Sequence, residues 1–268
     1  MKNNKHFLSV IVPIYKQEKT IVSDLNKINR TLTKIRYDYE IIAVVDGKNE
    51  DNSFKIAKSI DSPKIKVFGY KKNHGKGYAI KYGIKKTKGD YVAFLDAGME
   101  IDPNGISMLL EHLEWYKADV IVGSKRHPAS LVSYPLNRRI LSFGAQIIAK
   151  LLLGIKVKDT QAGIKIYKSK VLKKITPRLM IKSFAFDLEM LAVANRLGFT
   201  RIYEAPIKLN YRFEELHLNG KTYQTIKQCL IDALAVFYRL RILRYYDDNT
   251  KRLWRYDTDL KMRINTGQ

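Results

Sequence analysis

The chain is short of several things, and each shortage excludes a class. Among 268 residues there is one cysteine, Cys229, so no intramolecular disulfide framework is available and a reducing compartment fits. Cys229 falls in a helical stretch and reads as a small buried apolar residue before it reads as a reactive thiol. No run reaches the ~20 clean apolar residues of a membrane span. The nearest, Ile140 to Val157, is broken by Gln146 and Lys150 and reads as a partly buried or interfacial helix. Met1 to His6 is polar, so no secretory leader is expected, and the protein is read as cytoplasmic. Acidic residues are few: 26 Asp and Glu stand against 49 Lys and Arg, a net charge of +23. That excess suits nucleic acid, an anionic membrane surface or phosphorylated small molecules. Compositional drift is the plain alternative, because the lysines are scattered and not gathered into runs. Recognisable nucleic-acid modules are lacking, as is a basic stripe with interleaved aromatics before the last helix, so no nucleic acid partner is expected.

What is present describes a folded α/β protein. The first hundred residues alternate strand and helix signals, which predicts a mainly parallel central sheet flanked by helices, Rossmann-like in class. Strands are expected at Phe7–Val12, Glu40–Val45, Ile65–Phe68, Tyr91–Leu95 and Asp119–Val122, with helices near 18–34, 52–60, 77–87 and 104–117. Ligands of such sheets collect at the carboxyl ends of the strands. Pro13-Ile14-Tyr15, Asp46-Gly47, Asn73-His74-Gly75-Lys76-Gly77 and Asp96-Ala97-Gly98 all fall there, so four segments are expected to share one crevice. Beyond residue 123 come a basic loop, an apolar helix from about Pro135 to Leu153, a short strand led into by the Asp159–Lys165 loop, a helix over 185–197 and a strand over 201–208. A last helix, about Tyr223 to Tyr246, carries Ile226, Leu230, Leu234 and Phe237 at helical spacing. The final twenty residues are polar and read as a loosely packed tail.

Several motifs carry chemistry. Asp46 can accept a hydrogen bond from a base or ribose while Gly47 turns the chain, although aspartate-glycine is also an ordinary turn. The glycines at 75 and 77 allow close backbone approach, and Lys76 adds a charge suited to phosphate at a helix N-terminus. Asp96 ends a strand buried by its own sequence, where a carboxylate must be paired or bound to a cation. Glu100 and Asp102 follow, hard oxygens that suit Mg²⁺ or Mn²⁺, or else caps of the next helix. Arg126, Arg138 and Arg139 bracket the most apolar helix and suit an acceptor with a phosphate head and a greasy tail; solvated surface arginine is the alternative. Asp159-Thr160-Gln161-Ala162-Gly163-Ile164-Lys165 and Phe184-Ala185-Phe186-Asp187-Leu188-Glu189 set acids and amides beside glycine and aromatics, poor core material and good material for a sugar site.

Together these residues resemble the inverting glycosyltransferases of family 2, with the GT-A fold. More narrowly they resemble the polyprenyl-phosphate glycosyltransferases, and the surroundings of Arg241 resemble the glucosyltransferases among them. Val12-Pro13-Ile14-Tyr15 with Glu18, the Asp46 turn, Gly75-Lys76-Gly77 and Gly89-Asp90 through Asp96 are general family marks; 159–165 and 184–189 mark the lipid-phosphate subgroup. The resemblance implies a catalytic domain over 1–212, with a nucleotide-binding half at 7–123 and an acceptor and sugar half at 124–212. Residues 213–268 would form a helical, membrane-peripheral segment and tail. It implies that Pro13, Tyr15, Glu18, Asp46, Gly75, Lys76, Asp96 and Ala97 hold the donor, with Asp96 and Asp187 as the catalytic pair. Asp96 would coordinate the divalent metal; Arg126, Arg138 and Ser142 would hold the acceptor phosphate, with Lys125 and Arg139 as alternatives. Gln161, Asp187 and Glu189 would face the sugar. Two departures bear on the metal. Gly98 stands where the family's metal motif has a second aspartate, leaving Glu100 as the substitute ligand, and the family's Tyr-Asn-Glu-Glu run appears as Tyr15-Lys16-Gln17-Glu18, one negative charge fewer near the nucleotide.

The expected reaction is transfer of a hexose, glucose favoured, from a nucleotide sugar to a polyprenyl phosphate at the cytoplasmic face of a membrane. Two rivals are kept: a family 2 enzyme acting on a saccharide acceptor, which would need a carboxylate base, and a basic binding protein with weakened catalysis.

Overall fold

The structure is a computed structural model that describes residues 6–131, 152–160, 162–183, 185–209, 220–247, 254–258, 260 and 262–265. Its centre is a seven-stranded sheet in the order β3-β2-β1-β4-β6-β5-β7. The strands are β1 (Phe7–Ile14), β2 (Asp38–Asp46), β3 (Ile65–Tyr70), β4 (Tyr91–Leu95), β5 (Val120–Ser124), β6 (Ile164–Lys168) and β7 (Ile202–Pro206). Only β6 runs antiparallel to its neighbours, β4 and β5. The expected strands are all present; the runs of the inner strands are buried on both faces as a helix-covered sheet requires, while the edge strands β3 and β7 are only partly buried.

Helices cover both faces. On one lie α1 (Ile21–Leu32), α2 (Ser53–Lys58) and α4 (Gly105–Trp115), packed through Leu25, Ile28, Ala57, Leu109 and Leu113. On the other lie α3 (Lys76–Ile84), α5 (Ser169–Ile175) and α6 (Phe186–Arg196), with α7 (Gly220–Phe237) across them. Burying apolar surface on both sides at roughly 25 cal/mol per Å² supplies most of the cohesion. Strand order reverses between β1 and β4, and a doubly wound sheet opens its ligand crevice at that reversal.

Beyond residue 168 the structure adds to the expectations twice and changes one. A helix-and-turn segment, α5 followed by a 3-10 turn at Thr176–Arg178, follows β6 directly. Among the described side chains of α7, Ala233 and Val236 are buried, continued by Leu240, whereas Leu230 and Leu234 are exposed. The tail is not featureless: β8 (Trp254–Asp257) and β9 (Met262–Asn265) form an antiparallel hairpin, with Leu260 buried at its turn. Polar composition concealed it, since a two-stranded hairpin needs few apolar residues when it leans on an existing surface. The expected 135–153 helix falls almost wholly outside the described residues.

Candidate active site

Parallel strands bring their carboxyl ends to one edge of the sheet. There Asp46 ends β2, the 73–75 loop follows β3, Asp96 follows β4 and Lys125-Arg126 follow β5. Because β6 is antiparallel and pairs Leu95 with Ile164, its first residues return the 159–163 loop to the same edge.

Asp46 is buried, and both of its oxygens accept backbone amides of the loop, from His74 (2.7 Å) and Gly75 (2.8 Å). Its observed work is to shape the loop. Gly75 has φ +94°, and a Cβ there would lie 2.6 Å from the carbonyl oxygen of Lys182, so no other residue fits without movement. That carbonyl accepts the Gly77 amide at 2.9 Å, which ties the start of α3 to the segment preceding α6. Gly77 itself lies against the Phe186 ring.

Lys76, the first residue of α3, points between two carboxylates. Its Nζ lies 2.8 Å from Asp96 Oδ1 and 3.5 Å from Asp187 Oδ2. Burial pulls the Lys76 ammonium down, but the charges of Asp187 and Asp96 outweigh it and raise its pKa. Asp187, in the first turn of α6, is buried and gives its other oxygen to Lys165 Nζ at 2.9 Å. Burial pushes the Asp187 carboxyl up; Lys165 and Lys76 together hold it below the usual range, so it stays ionised. Gly163 completes the wall: its carbonyl accepts the Asp96 amide at 3.0 Å, and a Cβ there would fall 2.4 Å from Asp96 Oδ2.

The other expected donor residues lie around this centre. Tyr15 is exposed beyond the end of β1, and Pro13 is half-buried in register with Val44. Glu18 accepts the Asn52 amide at 3.0 Å, joining the approaches to α1 and α2. Ala97 is half-buried in the turn after Asp96, and Glu100 is exposed beyond it, past Gly98 and Met99, both at positive φ. Where the acceptor was expected, Asp159 receives the Lys125 amide at 3.0 Å and fixes the loop that carries Lys125 and Arg126. Arg126 is half-buried in that turn. Arg138, Arg139, Ser142 and Gln161 lie outside the described residues.

Glu189 corrects an expectation. It does not face a sugar. Its side chain is wholly buried and accepts the amides of Met180 and Ile181, the Tyr246 hydroxyl (2.6 Å) and Arg239 (3.2 Å). Two residues along a helix from Asp187, it points to the opposite side, where it docks α7 and the 180–181 segment. Lys165, by contrast, had no role assigned from sequence and proves to be the direct partner of Asp187. The signal was a lysine inside an apolar strand, which needs an anion nearby.

No group of three or more His, Cys, Asp or Glu side chains able to cage a metal occurs among the described residues. One half-exposed carboxylate, Asp96, fits a hard divalent ion that arrives with a diphosphate and keeps water ligands, and does not fit a dedicated protein-only site.

The profile described as glycosyl transferase family 2 matches residues 9–176, from β1 through the 159–163 loop to α5. The chain belongs to glycosyltransferase family 2. It is 31% identical over 206 residues to the dolichyl-phosphate beta-glucosyltransferase of Dictyostelium discoideum, covering 72% of this chain and 63% of that protein. It is 29% identical over 219 residues to the human protein of the same name, covering 76% and 67%. With the UDP-N-acetylglucosamine–dolichyl-phosphate N-acetylglucosaminyltransferase of Methanococcus voltae it shares 26% over 253 residues, covering 88% and 95%. The chain thus spans less than two thirds of the Dictyostelium relative. Glucosyl-3-phosphoglycerate synthase of Mycobacterium tuberculosis, solved with UDP, superposes with a TM-score of 0.67 at 16% identity, over 99% of this chain and 89% of that one. That likeness establishes the fold of this family 2 chain as GT-A, as expected.

Proposed function

We propose that this family 2 chain transfers a hexose, glucose favoured, from a nucleotide sugar to a polyprenyl phosphate, inverting the anomeric carbon. The observation that carries the reading is Lys76, held between Asp96 and Asp187 where the strand ends converge. A cation so fixed is suited to a departing diphosphate, and its orientation is set before the reaction begins. The names of the Dictyostelium and human relatives support glucose and a dolichyl phosphate; that of the Methanococcus relative keeps UDP-N-acetylglucosamine as the second donor. GDP-mannose stands behind both.

A phosphate monoester has its second pKa near ~6 and is mostly dianionic at neutral pH, so the acceptor oxygen needs placing more than it needs a base. Asp187 fits that chemistry. With each oxygen facing an ammonium it is a poor proton acceptor and a good orienting group. Arg126, with Arg138 and Ser142, would hold the acceptor phosphate, Lys125 and Arg139 being the alternatives; Gln161 would contact the sugar. Pro13, Tyr15, Glu18, Asp46 and Ala97 would surround the nucleotide, Asp46 through the loop it shapes. Asp96 would hold a divalent ion, with Glu100 as the second candidate ligand, and that ion would supply charge stabilisation at the diphosphate. A solved neighbour carrying Mn²⁺ and UDP-glucose supports that ion and that donor.

No described helix is long and apolar enough to cross a membrane. We assign contact with an anionic membrane surface, at its cytoplasmic face, to the outer side of α7 and the turn after it. Ile231, Leu234, Tyr238 and Ile242 are exposed there at helical spacing, and Arg241 lies beside them.

The test is a panel of UDP-glucose, UDP-N-acetylglucosamine and GDP-mannose, each with polyprenyl phosphate, with and without Mn²⁺. The expected product is polyprenyl phosphate glucose, the new bond joining the anomeric carbon to a phosphate oxygen of the lipid, with release of UDP. Transfer to a saccharide and none to the lipid phosphate would establish the rival acceptor. Flotation with liposomes tests the surface; indifference to both anionic lipid and salt would remove it.

A further inference from the structure

In the reaction just described Lys165 serves only as the second cation facing Asp187, yet it occupies a costly position. It sits mid-sheet in β6, paired across to Phe94 on β4 and Val122 on β5, with its side chain 1% exposed. An ammonium there costs several kcal/mol unless its hydrogens are taken up. Two acceptors meet it, the Ala162 carbonyl and Asp187 Oδ1. From Lys165 a row of alternating charge runs outward through Asp187 and Lys76 to Asp96. Side-chain exposure climbs along it, from 1% to 6%, 19% and 42%. Lys76 rests nearer the outer carboxylate, at 2.8 Å, than the inner one, at 3.5 Å.

We infer that Lys165 is a positioning residue for donor binding: by engaging Asp187 from the core side, it keeps Lys76 from being drawn inward and leaves that ammonium at the mouth of the pocket. A buried carboxylate facing a single lysine closes on it, since the attraction strengthens as the surroundings dry out. Shared between two lysines, Asp187 orients Lys76 without withdrawing it. The inference rests on the pocket being the diphosphate site of a nucleotide-sugar donor, as proposed above.

The experiment is calorimetric titration of the full chain with UDP in the presence of Mg²⁺, alongside thermal melts. Lys165→Met should weaken UDP binding about tenfold, the size of one hydrogen bond to a charged group. Lys165→Gln, which keeps a polar donor in the core, carries the same expectation should the methionine variant fold poorly. The deciding variant is Lys165→Met with Asp187→Asn, in which nothing remains to pull Lys76 inward. UDP affinity should return towards the wild-type value there. A purely structural lysine would leave the double variant as weak as the single one, and that result overturns the inference. Wild-type affinity in a folded single variant overturns it as well. If the wild-type chain binds neither UDP nor GDP, the donor-site reading itself falls and takes this inference with it.

Discussion

Helix α6 carries two buried carboxylates on opposite sides, and the regions they serve differ in kind. On the pocket side Asp187 meets two ammonium groups. On the rear side Glu189 meets two backbone amides, a tyrosine hydroxyl and one arginine. Depth is similar, but burial pushes Glu189 up beyond what its partners recover, whereas the lysines overcome burial at Asp187 and hold it down. The comparison teaches that the partners' charge, and not depth, decides whether burial raises or fails to raise a carboxyl's pKa. The pocket side keeps a fixed anion to aim Lys76; the rear side uses an anion to fasten α7 and the 180–181 segment to the core.

The largest expected effect breaks the pocket side. Lys76→Met should lower kcat/KM by roughly 10²–10³, the scale of losing one preorganised group at developing charge. Its melting temperature should change little, because Asp187 keeps Lys165. Initial rates beside a thermal melt check both halves of that statement. On the rear side the order should reverse. Glu189→Gln sets an amide against backbone amides and strips Arg239 of its counter-charge, which should cost about 2–3 kcal/mol of stability. Turnover per folded molecule should hardly move, as denaturant unfolding and active-site-normalised rates would show.

Acid titration sharpens the contrast through sign. A carboxyl with a depressed folded pKa contributes stability that is present above its unfolded value, near 4, and is lost as pH falls through the folded value. Asp187 is of that type. Glu189 is raised, so its folded form binds the proton more tightly and its ionisation weighs against stability until pH falls to the unfolded range. Asp187→Asn should therefore make the loss of stability between pH 6 and 3 shallower, and Glu189→Gln should make it steeper; parallel slopes would dissolve the distinction. The smallest effect belongs to the outer end of α6, where Arg196 forks onto Asp247 near the surface. Arg196→Ala should cost at most about 1 kcal/mol, a difference that chemical denaturation can resolve.

Much of this arrangement was legible in the chain. Alternating apolar runs located the strands of the sheet except the antiparallel partner's exact role, and the motifs at 13–15, 46–47, 73–77 and 96–98 lay at strand ends because parallel sheets put them there. Local pattern could not tell Asp187 from Glu189. Both are acids in one short motif, and only the identity of what packs on each side separates them. It also left open which way α7 faces: the larger Leu230 and Leu234 point outward and Ala233 and Val236 inward, because helical spacing names a stripe without saying which neighbour comes close. The tail hairpin was hidden for the same reason: the surface it rests on is built from distant residues.

By itself, then, the sequence determined which segments become strands, which loops stand at their tips, and that glycines at 75 and 77 leave room for close approach. Those are local properties, set by backbone preference and by the two periodicities of regular structure. Tertiary structure alone decided that Lys165 and Asp187, 22 positions apart, form one buried pair, and that Lys76, 111 positions from Asp187, stands between it and Asp96. Coulomb energy depends on distance in space and on the dryness of the surroundings, and neither exists until the sheet has closed.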